Sequence, residues 1–368
     1  MSQLSDLKVR NLRCKQRSQG RWGVQRGAMQ CSPLVAVRAG FPRRRNQLRK
    51  QSRPLAAELL KIIFAGTPRF AAVHFQALLD RHCSVQAVLT QPDRPAGRGK
   101  HLQQSPVKQV ALKYDLPIYS PTTLCDEVLQ AALREFHADV MVVVAYGLML
   151  PEAILSMPRL GCINVHASLL PKYRGASPIQ QAILSGDTET GITVMKIIKA
   201  LDAGPMLLQS RCAIAETDTA ETLSETLAQL GAKTLLKTLE TNLVNAQAQN
   251  DGEATHTKKI DKSDAKIDWN KSATDLDREI RAFNPWPISF AELKGERIRI
   301  WQATPLAEKH NKQPGQIISV NQAGIDVATG EGVLQVRQLQ LSGGKKLSVA
   351  DMLNGKVALF KIGHRFDL

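Results

Sequence analysis

Hydrophobic and polar positions along this chain fall into two textures. From Leu60 to about Glu240, short apolar runs alternate with stretches of helical repeat. Leu60-Lys61-Ile62-Ile63-Phe64-Ala65-Gly66 reads as a first buried strand, and Gly66-Thr67-Pro68 turns from it into a helix over 70–80. This turn lacks the G-x-G-x-x-G spacing of a dinucleotide-binding loop. Residues 84–91 predict a second strand and 105–114 a helix. Residues 139–147 are almost wholly apolar, as expected of a strand covered on both faces in a parallel sheet with helices on each side. A short helix is expected over 177–185, with Ser177 as N-cap and Pro178 in the first helical position. Strand 191–198 and a long amphipathic helix over 219–240 follow. The alternation gives an open α/β sheet, on which ligands sit beyond the carboxyl ends of the strands, where His166 and Asp202 are both expected to fall.

The texture then changes. A polar stretch rich in Asn, Gln and Lys (242–262) reads as a linker. Residues 268–283 look helical and stop before Asn284-Pro285-Trp286-Pro287. Short strands are expected at 297–301, 316–320, 325–328 and 333–341, separated by Gly-containing turns, which suggests a small β-barrel.

Candidate chemistry concentrates in Gly161-Cys162-Ile163-Asn164-Val165-His166-Ala167-Ser168-Leu169-Leu170-Pro171-Lys172-Tyr173-Arg174-Gly175-Ala176-Ser177-Pro178. On a strand, Ile163 and Val165 would face a core while Asn164 and His166 point together to the other side. A converging amide and imidazole can stabilise a developing oxyanion and move a proton. A satisfied polar pair at a strand end is the plainer reading of Asn-x-His alone. One acid, Asp202, lies in a Gly/Pro loop at 199–206. A second loop, from Pro92 to Lys108, carries Gly, Pro and several cations. A solvated basic face and a functional loop both fit it.

Charge sharpens this picture. Residues 1–60 hold 14 Lys/Arg against Asp6 and Glu58, so +12 of the net +16 sits there and the remainder is only mildly basic. That segment shows no periodicity able to bury a core. Three readings compete for it: an RNA-binding arm, an organellar transit peptide, or a wrongly chosen start with the true chain beginning just before Leu60, the last being preferred. The six cysteines form no C-x-x-C pair, which points away from zinc sites and disulfide frameworks and toward a reducing compartment. No run approaches the length of a membrane span, so no membrane association is expected. The second texture carries Lys294, Arg297, Arg299, Lys345, Lys346 and Lys361, a nucleic-acid surface or an ordinary soluble one.

Taken together, Ile62 to Pro68, Gln91 to Lys108, Asp139 to Gly147, Gly161 to Pro178, Leu201-Asp202-Ala203-Gly204 and Arg281-Ala282-Phe283-Asn284-Pro285-Trp286-Pro287 resemble the methionyl-tRNA formyltransferase family over about five-sixths of the chain. The resemblance implies a Rossmann-like formyltransferase domain with a mostly parallel sheet at 60–243, a linker at 244–264 and an OB-like β-barrel domain binding tRNA at 265–368, after a basic extension at 1–59. It implies formyl transfer from 10-formyltetrahydrofolate to the methionyl amino group of initiator tRNA, by a cytoplasmic bacterial monomer that needs no metal. The family's catalytic residues fall on Asn164, His166 and Asp202. Its folate contacts fall on Ser168, Leu169, Leu170 and Pro171, with Val144, Tyr146 and Gly147 nearby. Its tRNA-inserting loop brings Arg94, Arg98, Lys100 and Lys108, with Arg98 matching the key arginine. Three positions depart from the family pattern: Arg69 where an acid is usual, Ala167 for Gly, and Ala203 for Thr. The last also occurs in sugar-nucleotide formyltransferases. A formyltransferase for a small amine and a catalytically idle RNA-binding protein are the competing functions.

Overall fold

The computed structural model describes residues 60–96, 101–241, 243–356 and 359–367. The three readings of residues 1–59 lie outside these, as do Arg98 and Lys100.

In chain order, β1 (Lys61–Gly66) leads into α1 (Arg69–Asp80) and β2 (Ser84–Leu89). A small antiparallel ribbon, β3 (Arg94–Ala96) with β4 (His101–Gln103), precedes α2 (Pro106–Lys113). Ser105 caps α2 by accepting from the Lys108 amide. Then come β5 (Ile118–Tyr119), α3 (Glu127–Arg134), β6 (Val140–Val144), the single turn α4 (Glu152–Leu155) and β7 (Cys162–His166). After β8 (Arg174–Gly175), α5 (Pro178–Leu184) leads to the hairpin β9 (Glu189–Lys196) and β10 (Met206–Ala213), and α6 (Ala220–Glu240) closes the domain. Pro178 opens α5 as expected. Ser177 does not cap it, because its backbone is left-handed (φ 60°) and its side chain makes no cap bond.

The seven-stranded sheet runs β10-β9-β7-β6-β1-β2-β5. The six strands other than β9 share one direction, and β9 opposes both neighbours. All five residues of β6 are buried, as its apolar composition requires of a strand covered on both faces. Alternation sorts side chains between two cores. Phe64, Val142, Ile163 and Val165 join α1 and α6 on one face. Met141, Val143 and Cys162 join residues of α3 and α4 on the other. Burying Ile163 and Val165 is worth about 1.5–3 kcal/mol each, which fixes the face that Asn164 and His166 must take.

Residues 244–264 connect this domain to the next, and they are stitched to the first domain along the way. β11 (His256–Thr257) pairs with β8, and Gln247 exchanges backbone bonds with Met206. Helix α7 (Ala273–Ala282) starts later than the sequence predicts. Asp268 closes its own tight turn by accepting from the Asn270 amide, and Ser272 takes the N-cap by accepting from Asp275.

The remaining strands are β12 (Phe290–Leu293), β13 (Glu296–Leu306), β14 (Ile317–Asn321), β15 (Gly324–Ala328), β16 (Val333–Leu341) and β17 (Leu347–Ser348), with α8 (Val349–Lys356) after them. They form an antiparallel sheet ordered β12-β13-β16-β15-β14, with β17 on β16. Lys294 and Gly295, both at positive φ, make the two-residue turn between β12 and β13. Trp269, Ile280, Ile298, Val327 and Leu339 belong to this domain's own core. Among the described residues no helix is long and apolar enough to cross a membrane.

Candidate active site

The site is built around the last residues of β7. With Ile163 and Val165 committed to the core, Asn164 and His166 project from the opposite face. His166 follows the expected placement at the carboxyl end of a parallel strand. Asp202 does not, because β9 runs against β7 and its last residue, Lys196, pairs with Ile163 near the start of β7. The β9–β10 connection therefore leaves at the other end and folds back to bring Asp202 to the strand face.

Three polar side chains converge there. Oδ1 of Asp202 lies 3.5 Å from Nδ2 of Asn164, and its Oδ2 lies 3.7 Å from Nδ1 of His166. The backbone N–H of Gly175 donates to the same Oδ2 at 2.9 Å. Nε2 of His166 is 2.9 Å from the Tyr173 carbonyl. A carbonyl only accepts, so Nε2 must carry a proton and Nδ1 is the nitrogen left for chemistry. The 3.5 and 3.7 Å separations are long for direct hydrogen bonds and short enough for one bridging atom. His166 is 6% exposed and the Asp202 side chain 13%, so both act in a partly dry environment where charge interactions are strengthened.

The segment after β7 is rigid through its own bonds. Ser168 donates from Oγ to the Lys172 carbonyl, and its own carbonyl accepts from Thr193. The Leu170 amide donates to Thr193 Oγ1 and its carbonyl accepts from Gln209. Hydrogen-bonding groups of Ser168 and Leu170 are thus spent inside the protein, leaving half-buried Leu169 and Pro171 as the more open members of that stretch. Cys162, one step back on the same face as Asn164, is no nucleophile: burial pushes its thiol up to about 12.

At the carboxyl ends of β1, β2 and β6, Thr67 donates to the Tyr146 carbonyl and accepts from the Gln91 amide. Gly147 is exposed and turns at φ 88° beside Gln91. Nε2 of Gln91 and the Tyr146 hydroxyl are buried without hydrogen-bond partners. Tyr146 is held protonated, its hydroxyl raised to about 12 by burial. Unsatisfied donors beside an exposed backbone turn suit a ligand with a polar heterocyclic edge.

Of the loop cations, Arg94 is exposed and donates to Gln91 Oε1 at 3.0 Å. Lys108 is different: its ammonium sits 2.7 Å from Asp93 Oδ2, so it fastens the foot of the loop rather than offering a free charge. A cleft of about 540 Å³ bordered by Phe70, Glu225 and Trp286, and another of about 760 Å³ bordered by Lys262, Lys266, Trp286, Arg297 and Arg299, contain none of the converging trio. Sequence reasoning missed Tyr173 and Gly175 as fixed points. It also missed Gln249, whose Nε2 donates to the carbonyls of Asp202 and Gly204, both at 2.8 Å. A glutamine in a polar stretch 47 positions from its partner leaves no local signal. No group of three or more His, Cys, Asp or Glu placed to hold a metal ion occurs among the described residues.

A parallel-sheet domain presenting an amide, an imidazole and a carboxylate, followed by a basic antiparallel domain, matches known families. The model described as formyl transferase covers residues 60–239, and that described as formyl transferase, C-terminal domain, covers 259–357. The chain belongs to the formyl transferases. A methionyl-tRNA formyltransferase of Hahella chejuensis (strain KCTC 2396) is 47% identical over 312 residues, spanning 84% of this chain and 98% of that relative, which places the chain among the methionyl-tRNA formyltransferases. In fold, it is similar to an N-formyltransferase from Helicobacter canadensis in complex with folinic acid and dTDP-3-aminofucose (TM-score 0.57, 18% identity, 78% of this chain and 100% of that one). It is also similar to HypX from Aquifex aeolicus in complex with tetrahydrofolic acid (TM-score 0.54, 13% identity, 80% of this chain and 47% of that one).

Proposed function

We propose that this enzyme transfers the formyl group of 10-formyltetrahydrofolate to the α-amino group of methionine on initiator tRNA, acting in the cytoplasm as a monomer. The observation that carries the reading is the convergence of Asn164, His166 and Asp202 on one point of the β7 face. A single chain supplies every group the reading uses.

The donor supplies a one-carbon unit at the formate oxidation level, as an N-formyl amide, so its transfer from one nitrogen to another needs no oxidant or reductant. Its polar ring edge fits the unpartnered Gln91 and Tyr146 donors beside the Gly147 turn, which follows buried Val144 at the end of β6; half-buried Leu169 and Pro171 are the open members of the segment after β7. The acceptor amine needs little activation, since a free α-amino group has a pKa of about 7.7–8. The demand falls on the carbonyl oxygen, which gains negative charge as the new C–N bond forms. Asn164 Nδ2 and a protonated His166 Nδ1 are the donors for that charge. Asp202 faces both, holds the ring from the side opposite Tyr173, and is placed to receive the amine's proton through water and pass it on as the old C–N bond breaks.

The tRNA reading rests on charge. The sequence between Pro92 and Lys108 carries Arg94, Arg98 and Lys100, and of these Arg94 is exposed beside Gln91. The cleft bordered by Lys262 of the connecting segment and by Lys266 and Arg299 adds a cationic face, with Arg297 there already paired to Glu292. The test is direct: supply 10-formyltetrahydrofolate with charged initiator tRNA, charged elongator tRNA or small amines. Selective formylation of the initiator supports the reading; preference for a small amine, or no transfer at all, defeats it.

A further inference from the structure

We propose that Gln249 is a positioning residue for Asp202, and that the segment from Gln247 to Thr257 is a strap that completes the active site. The inference rests on the reading of Asp202 as part of the catalytic group.

Asp202 sits at φ 48°, in the left-handed region that a residue with a Cβ seldom adopts. Something must hold its turn there. Gln249 does so from outside, one side-chain amide nitrogen bonding the carbonyls of residues 202 and 204 at 2.8 Å each. The orientation of that amide is set by chemistry. Its Oε1 accepts from Nε of Arg174 at 2.9 Å, and an arginine can only donate.

Arg174 is itself buried, 5% exposed, and its second contact is Asp251 at 2.7 Å, also on the strap. Its neighbours on either side complete the constellation: the Tyr173 carbonyl fixes the His166 ring, and the Gly175 amide fixes the Asp202 carboxylate. Backbone bonds tie the strap down at both ends. Met206 and Gln247 exchange bonds at 2.7 and 2.8 Å, and the Arg174 amide donates to Thr255 at 2.8 Å. The strap thus touches the turn that bears Asp202 and the Tyr173–Gly175 segment that anchors His166, and Gln249 bridges the two.

A merely structural Gln249 would serve as the acceptor for buried Arg174. Gln249→Glu separates the two roles, since it keeps that acceptor and loses both donated bonds. In full-length enzyme, Gln249→Ala and Gln249→Glu should each lower kcat by roughly 10- to 100-fold, with KM for folate and tRNA changed by no more than about twofold. In an Asp202→Asn background, Gln249→Glu should cost less than about threefold, because its effect runs through that carboxylate. Near wild-type kcat in folded Gln249→Glu, a loss confined to KM, or an equal loss in both backgrounds overturns the proposal. Circular dichroism melting keeps unfolding out of the comparison. If Asp202→Asn alone turns over normally, it is the underlying site reading that fails.

Discussion

Nδ1 of His166 faces Oδ2 of Asp202 at 3.7 Å while Nε2 of the same ring is bonded to the Tyr173 carbonyl at 2.9 Å. The ring therefore has one nitrogen whose proton can change hands, and the carboxylate sits opposite it. His166→Ala and Asp202→Ala should lower kcat more than they raise KM. Asn164→Ala, which removes a neutral donor, should lower kcat by roughly 10²–10³-fold. Initial rates of methionyl-tRNA formylation measure all three. Wild-type turnover in any one removes that residue from the mechanism.

Gly204 predicts a second loss of activity. A Cβ there would collide with the Lys196 carbonyl oxygen, a backbone atom of β9 that cannot swing aside. Gly204→Ala must displace the turn that carries Asp202. We expect kcat to fall by roughly 10²-fold, the scale of a 1 Å misplacement, while folate affinity measured by fluorescence titration holds. Unchanged kcat would mean the turn tolerates the shift.

His74 governs behaviour in acid. It is buried against α6, its Nδ1 bonds the Phe70 carbonyl, and desolvation lowers its pKa from 6.5 to about 4. The folded state thus resists a proton that the unfolded chain takes up near pH 6.5. The stabilisation is fully present above that pH and is lost as pH falls toward 4. By linkage the total is about 3 kcal/mol, of which about 2 is gone at pH 5. Urea unfolding at pH 7 and pH 5 should show this difference shrinking in His74→Leu. An equal pH dependence in the variant would assign the acid sensitivity elsewhere.

The basic loop should act on tRNA alone. Arg98→Ala should weaken use of tRNA and reduce the slope of log K against log salt by about 1, leaving folate binding intact. Lys108→Ala should differ, because its charge is already matched by Asp93. It should loosen the loop's foot with little change in the salt slope. Equal loss of folate binding in Arg98→Ala would make the loop a structural element of the pocket.

Much of this molecule is legible in its sequence, for identifiable reasons. The apolar runs at 62–66 and 140–144, of strand length and rich in β-branched residues, read as buried strands, and the 163/165 against 164/166 alternation assigned the polar pair to one face. The direction of β9 was not legible, since apolar spacing says nothing about which way a strand runs. That reversal is why Asp202 approaches from a fold-back loop. Helix α3 was also missed, and its capping Asp126 became evident only with its bonds to the Val128 and Leu129 amides. Gln249 was invisible because its partners are backbone carbonyls, which carry no residue code.

The stitching of residues 247–257 onto the catalytic domain has a consequence for how the enzyme is made. A nascent chain that has emerged only to residue 243 already owns the amide, the imidazole and the carboxylate, but the brace over them is still inside the ribosome. Competence would then switch on late in synthesis, as the tether to the second domain emerges and locks down, so that an incomplete product could not squander formyl donor.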